Sequence, residues 1–154
     1  MKRYIRLTSL IITLLLLITV MGCAKEINME INYSIGFSDL SAGYPGEHDL
    51  ECLVETFNDW SSLRNEREYL SSLDEKYNQE YFENVSLIVY AFTRSNGGGS
   101  TEITKVNKYG SQLQVYVEIV SGYIDVVSKG IIVIEVNKHD LSNINDLLIV
   151  KTLV

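Results

Sequence analysis

Ser86-Leu87-Ile88-Val89-Tyr90-Ala91-Phe92-Thr93 contains six consecutive apolar residues and no polar alternation. Such a run reads as a strand covered on both faces, the place of a central strand in a sheet. Gly130-Ile131-Ile132-Val133-Ile134-Glu135-Val136 has the same character. Two doubly covered strands require neighbours above and below, so the rest of the chain must supply at least one layer on each side. One layer is legible between them. Leu113, Val115, Val117 and Ile119 alternate with Gln112, Gln114, Tyr116 and Glu118, the signature of a strand with one buried and one wet face.

Upstream, Ile27, Met29, Ile31, Tyr33, Ile35 and Phe37 alternate with Asn28, Glu30, Asn32, Ser34, Gly36 and Ser38, predicting one unbroken half-buried strand. Residues 38–48, with the only proline at Pro45, read as a loop. Leu50, Cys52, Val54 and Thr56 resume the alternation. Asn58 or Asp59 then suits a helix cap, and Trp60, Leu63, Arg67, Leu70 and Tyr77 fall on one helical face. The spacing predicts a break near residues 71–74 and a second short turn over residues 77–83. Residues 103–108 form a weaker strand, residues 123–127 a short one, Asp140 caps a turn, and residues 147–154 close the chain with a last strand. Strand, strand, helix and then about five strands is an α+β pattern. The expected fold is mainly antiparallel β-sheet, a sandwich or a partly open barrel, with one helical segment after the second strand.

The first 23 residues carry a different message. Lys2, Arg3 and Arg6 precede the apolar run Leu10-Ile11-Ile12-Thr13-Leu14-Leu15-Leu16-Leu17-Ile18-Thr19-Val20, the order of an export signal. Residues 7–21 are too few for the roughly 20 that span a bilayer. Val20-Met21-Gly22-Cys23 resembles the lipobox of bacterial lipoproteins. That resemblance implies cleavage after Gly22 and a diacylglycerol on the Cys23 sulfur. It also implies sorting of the Ala24-bearing mature protein to the outer membrane in a Gram-negative cell. The expected organisation is a signal peptide over residues 1–22, a lipidated tether over 23–26 and one β-rich domain over 27–154. The localisation is the extracytoplasmic face of a cell membrane.

Removing residues 1–22 takes away three cations and no acid, leaving ten Lys and Arg against twenty Asp and Glu, a net charge of −10. Such a surface repels phosphate backbones, which argues against nucleic acid as a partner, and against lying flat on anionic lipid. With Cys23 acylated, Cys52 has no partner for a disulfide; between Leu50 and Val54 it reads as a small core hydrophobe.

No spacing marks a cofactor or catalytic group. Gly97-Gly98-Gly99 is followed by Ser100-Thr101-Glu102-Ile103, which lacks the lysine and helix of a phosphate loop. His48-Asp49 and His139-Asp140 do not follow a metal-ligand pattern, and neither a nucleophile elbow nor a zinc-protease motif is present. Neither metal, cofactor nor catalytic residue is expected. The segment Ser95, Asn96, Gly97, Gly98, Gly99 and Ser100 is the candidate contact loop, a glycine-rich turn whose backbone could meet a partner. Nine tyrosines in the mature chain, Tyr116 on a wet strand face among them, suit either packing or recognition.

Tyr81-Phe82-Glu83-Asn84, Ser86-Leu87-Ile88-Val89-Tyr90, the glycine run, residues 101–106, Leu113-Gln114-Val115 and Gly130-Ile131-Ile132-Val133-Ile134-Glu135 follow one another in an order that resembles the small β-rich domain named after the C-terminal part of PrcB. PrcB is a lipoprotein subunit of a spirochaete surface protease complex. The stretch covers less than half of the chain, and the aromatic of that family's Thr-Gly-Gly-Tyr-like loop is absent from Asn96-Gly97-Gly98-Gly99. The resemblance implies a non-enzymatic, protein-binding role as partner or stabiliser of a surface protease, with no catalytic residue. The alternative expectation is a lipoprotein that binds a small ligand or a carbohydrate in a groove on the sheet.

Overall fold

The computed structural model describes residues 28–40, 49–94, 99–123 and 127–154. Among the described residues, eight strands form two four-stranded sheets: β1 (Asn28–Glu30), β2 (Tyr33–Asp39), β3 (Leu50–Val54), β4 (Val85–Arg94), β5 (Thr101–Tyr109), β6 (Gln112–Ile119), β7 (Ser128–Asn137) and β8 (Asp146–Leu153). Sheet I has the order β1-β5-β6-β8 and sheet II the order β2-β7-β4-β3. Every pairing is antiparallel except β6 with β8. One α-helix, α1 (Phe57–Glu66), and 3-10 turns at Glu68–Leu73 and Tyr81–Glu83 lie between β3 and β4. The fold is an α+β sandwich, mainly antiparallel, and does not close into a barrel.

The two apolar runs are the two inner strands of sheet II. β4 pairs with both β3 and β7, and β7 pairs with both β2 and β4. Their alternate residues serve two cores. Ile88, Tyr90, Phe92, Ile132, Ile134 and Val136 meet Val106, Leu113, Val115 and Val117 of sheet I. Leu87, Val89, Ala91, Ile131 and Val133 face the opposite way, under Trp60, Leu70, Tyr77 and Phe82 of the helical layer. Residues 87–92 are apolar without interruption because each side of the strand is roofed. Among the described residues sheet I has no outer layer, and Tyr116, Gln114 and Gln112 line its wet side. There Tyr116 donates to Gln114 (2.9 Å), Gln114 to Gln112 (2.8 Å) and Gln112 to Asp146 (2.6 Å).

The unbroken strand expected over residues 27–37 is two strands. Ile27 lies outside the described residues. At Ile31, whose N–H still donates to Val106 in sheet I, the chain leaves β1 and enters β2 of sheet II. Alternation survives the crossing because buried Ile31 fills the corner between the sheets. A bulge between Ile35 and Phe37 then changes the register. Phe37 packs with the helical core, whereas Tyr33, two positions before Ile35, packs with the inter-sheet core. A bulge reverses which face the following side chains meet.

Thr56, rather than Asn58 or Asp59, caps α1. Its side chain accepts from the Asp59 N–H, and the Asp59 carboxylate accepts from the Thr56 N–H, a complete capping box. The helix ends at Glu66, earlier than its apolar stripe, because Arg67 leaves helical geometry (φ −132°, ψ 76°). Leu70 and Leu73 reach the core from the 3-10 turn instead. Asn137, not Asp140, caps the turn Lys138–Leu141 by accepting from the His139 N–H. Tyr123 and Val127 belong to no strand, and residues 124–126 lie outside the described ones.

Edges of the sandwich are blunted. The half of β5 that extends past β1 carries a bulge between Ile103 and Lys105, and the Tyr33 hydroxyl takes the Ile103 carbonyl at 2.8 Å. On the other side Lys151 of β8 bridges to Glu51 of β3 at 3.0 Å. Bulges and charges on edge strands disfavour pairing with another chain.

Candidate functional site

Polar groups converge where β2, β7 and the helical layer meet. Ser34 lies opposite Glu135 in the ladder, and Leu87 lies on the other side of Glu135. The Glu135 side chain, 16% exposed, forms an ion pair with Lys76 Nζ at 2.6 Å. It also accepts from the Tyr77 hydroxyl (3.1 Å) and the Ser34 hydroxyl (3.1 Å). Lys76 further donates to the Gly36 carbonyl at 2.8 Å. Burial alone would raise the Glu135 pKa; hydrogen bonds from Lys76, Tyr81, Ser34 and Tyr77 outweigh it, so the carboxyl sits below its ordinary range. Burial first, and Glu135 next, push the Tyr77 phenol far above its ordinary value. The result is a carboxylate fixed in its ionised form among neutral phenols.

That arrangement needs Gly36. A Cβ there would stand 2.1 Å from Glu135 Oε1 and 2.3 Å from the Tyr77 hydroxyl. The bulge and its glycine bring the β2 backbone against the carboxylate, a use of glycine for close approach rather than for a turn. Sequence reading missed the network because its members are scattered over 101 positions between Ser34 and Glu135. The one local signal was Glu135 itself, an acid inside the β7 apolar run.

Next to this network the helical layer stops short of the end of sheet II. The gap is a groove of about 310 Å³ lined by Asn32, Tyr33, Ser34, Asn84, Val85, Glu135, Val136 and Asn137. A second hollow of about 360 Å³ at Asn78, Glu80 and Tyr81 shares Asn84 and Val85 with the first.

Of the residues singled out by sequence, Cys23, Ser95, Asn96, Gly97 and Gly98 lie outside the described residues. Gly99 and Ser100 are held by the chain itself. Arg94 donates to the Gly99 carbonyl (2.6 Å), the Thr101 hydroxyl (3.2 Å) and the Ser128 hydroxyl (2.8 Å). Val120 N–H donates to the Ser100 carbonyl at 3.0 Å. A Cβ on Gly99 would meet the Val120 carbonyl oxygen at 1.8 Å. Arg94 therefore ties the β4–β5 connection to the start of β7. Arg94→Met should cost about 1–3 kcal/mol, the scale of a buried group losing its charged partner. Urea unfolding measures the loss, and faster amide exchange at Val120 would localise it.

Cys52 is half-buried in β3 opposite Val89. Burial pushes its thiol up to about 11, only partly offset by Arg67, so it stays protonated and unreactive at neutral pH. His139 is exposed, with Asp140 at 3.8 Å; His48 lies outside the described residues. No family model matches the chain, and comparison with curated proteins and with solved structures likewise gives no match.

Proposed function

We propose that the chain is a membrane-tethered, extracytoplasmic, non-catalytic binding module that docks an envelope protein, a surface protease by the PrcB resemblance, through residues 95–100. The observation that carries this is the lipobox Val20-Met21-Gly22-Cys23 placed five residues before the first strand residue, Asn28. One acyl chain holds a protein to a bilayer only marginally, whereas the two of a diacylglycerol hold it stably. Five extended residues reach at most about 18 Å, so the sandwich stands against the membrane surface. Asn28 lies opposite Tyr109 at one end of β5, and Thr101, beside the glycine segment, is at the other. Nine strand residues span about 30 Å. Thr101, which follows the candidate loop in sequence, is thus at the end of β5 away from Asn28.

Membrane fractionation and intact mass of the full chain test the tether. The parent should sediment with membranes and carry a diacylated N-terminus; Cys23→Ala should lose both. Equal partition of parent and variant would refute the anchor. Gly98→Tyr in the anchored chain tests the loop: cross-linking to the partner captured by the parent should fall, with the melting temperature unchanged.

A further inference from the structure

We propose that the groove beside Val85, lined also by Asn32, Ser34, Asn84 and Asn137, binds a neutral saccharide. Saccharide binding here would depend neither on residues 95–100 nor on the tether. The groove's chemistry points to this ligand class on three grounds.

The lining joins the half-buried Val85 to the polar side chains of Asn32, Ser34, Asn84 and Asn137. A pyranose has the matching form, a carbon-bound hydrogen face and a rim of hydroxyls that each donate and accept. Side-chain amides offer two donors and an acceptor apiece. Among the described residues, the Asn32 and Asn84 side chains make no hydrogen bond, and Asn137 uses only its Oδ1, on the His139 N–H. Several donors and acceptors therefore stand unclaimed around Val85.

Charge excludes the alternatives. No cation is among the described residues that line the groove; the nearby Lys76 is committed to Glu135 and to the Gly36 carbonyl. Glu135 on the groove wall repels anions, and its oxygens already accept from Lys76, Tyr77 and Ser34, which leaves little to attract a cation. What remains is an uncharged polar ligand.

The adjoining hollow extends the site. It continues past Asn84 and Val85 to Asn78 and the half-buried Tyr81 ring. That ring is held edge-on by Tyr77 at 5.2 Å, an immobilised aromatic beside a polar groove, suited to a second sugar ring.

The full chain in detergent micelles would be titrated, by calorimetry and by NMR of the asparagine side-chain amides, with neutral trisaccharides of glucose, N-acetylglucosamine and galactose. Penta-alanine represents a peptide ligand. At least one trisaccharide should bind and shift the Asn32, Asn84 and Asn137 amides. Asn32→Ala and Asn84→Ala should each weaken binding about tenfold, the loss of one hydrogen-bonding group. Both residues are exposed, so melting temperatures should match the parent. Absence of binding by all three sugars, equal binding by both variants, or binding of penta-alanine alone would overturn the proposal.

Discussion

Truncating Trp60 to alanine should cost about 3–5 kcal/mol, the range for removing a large buried aromatic. Trp60 is the one fully buried side chain of α1. It stands edge-on to Tyr77, with ring centroids 5.2 Å apart, in the cluster that roofs Leu87, Val89, Ile131 and Val133. Without the indole, α1 loses its one fully buried side chain in that cluster and a cavity opens above the two inner strands. Trp60→Phe separates packing from polarity. The indole N–H is buried and finds no acceptor among the described residues, so a phenyl ring relieves an unpaired donor while keeping most of the apolar volume. Its cost should stay near 1 kcal/mol. Urea unfolding of both variants gives the comparison. Equal losses for Phe and Ala would mean that the ring's hydrophobic volume is not what holds α1 to the sheet.

The inner strands were legible because double burial leaves its mark on consecutive residues: 87–92 and 131–134 needed no tertiary knowledge to be placed at the centre of a sheet. The same holds for β6, whose wet glutamines announced an unroofed face. What escaped was set by register and by distance along the chain. Residues 27–37 keep period-two alternation straight through the crossing at Ile31, since a corner between two sheets needs an inward side chain as much as a strand does. The Gly36 bulge is equally silent, because a glycine within an alternating run is compatible with an ordinary strand position. The α1 cap was present as Thr56-Phe57-Asn58-Asp59 and was misplaced by two or three residues. Its acid at the third helical position resembles a cap when read alone. The groove could not be read at all. Asn32 and Asn84 precede β2 and β4 whereas Asn137 ends β7, and the three meet only because β2 and β4 both flank β7.

Replacing Glu135 with glutamine should destabilise the fold by about 1–2 kcal/mol at neutral pH, the scale of charged hydrogen bonds weakened to neutral ones. Lys76 contributes the smaller part, since its side chain is 44% exposed and a solvated partner adds little. The larger part belongs to Tyr77, fully buried, whose hydroxyl has the Glu135 carboxylate as its acceptor. The pH dependence has a fixed sign. Glu135 titrates below its ordinary value of 4.5 in the fold, so its stabilisation is complete above that pH and disappears as pH falls through the folded value. Stability differences between parent and Glu135→Gln should therefore be constant from neutrality down to about pH 5 and shrink in more acid solution. A gap that widened on acidification would show that the carboxylate is not held in its charged form. Gly36→Ala approaches the same network from the backbone side. Its new methyl would displace Glu135 Oε1 and the Tyr77 hydroxyl, at about 1–3 kcal/mol by the cost of overpacking. Combined with Glu135→Gln it should cost less than the sum of the two, because both changes break one set of hydrogen bonds. Strict additivity in that double-mutant cycle would mean that the bulge and the carboxylate are independent. The groove wall beside Asn32 and Ser34 would then be set by the β2 backbone alone.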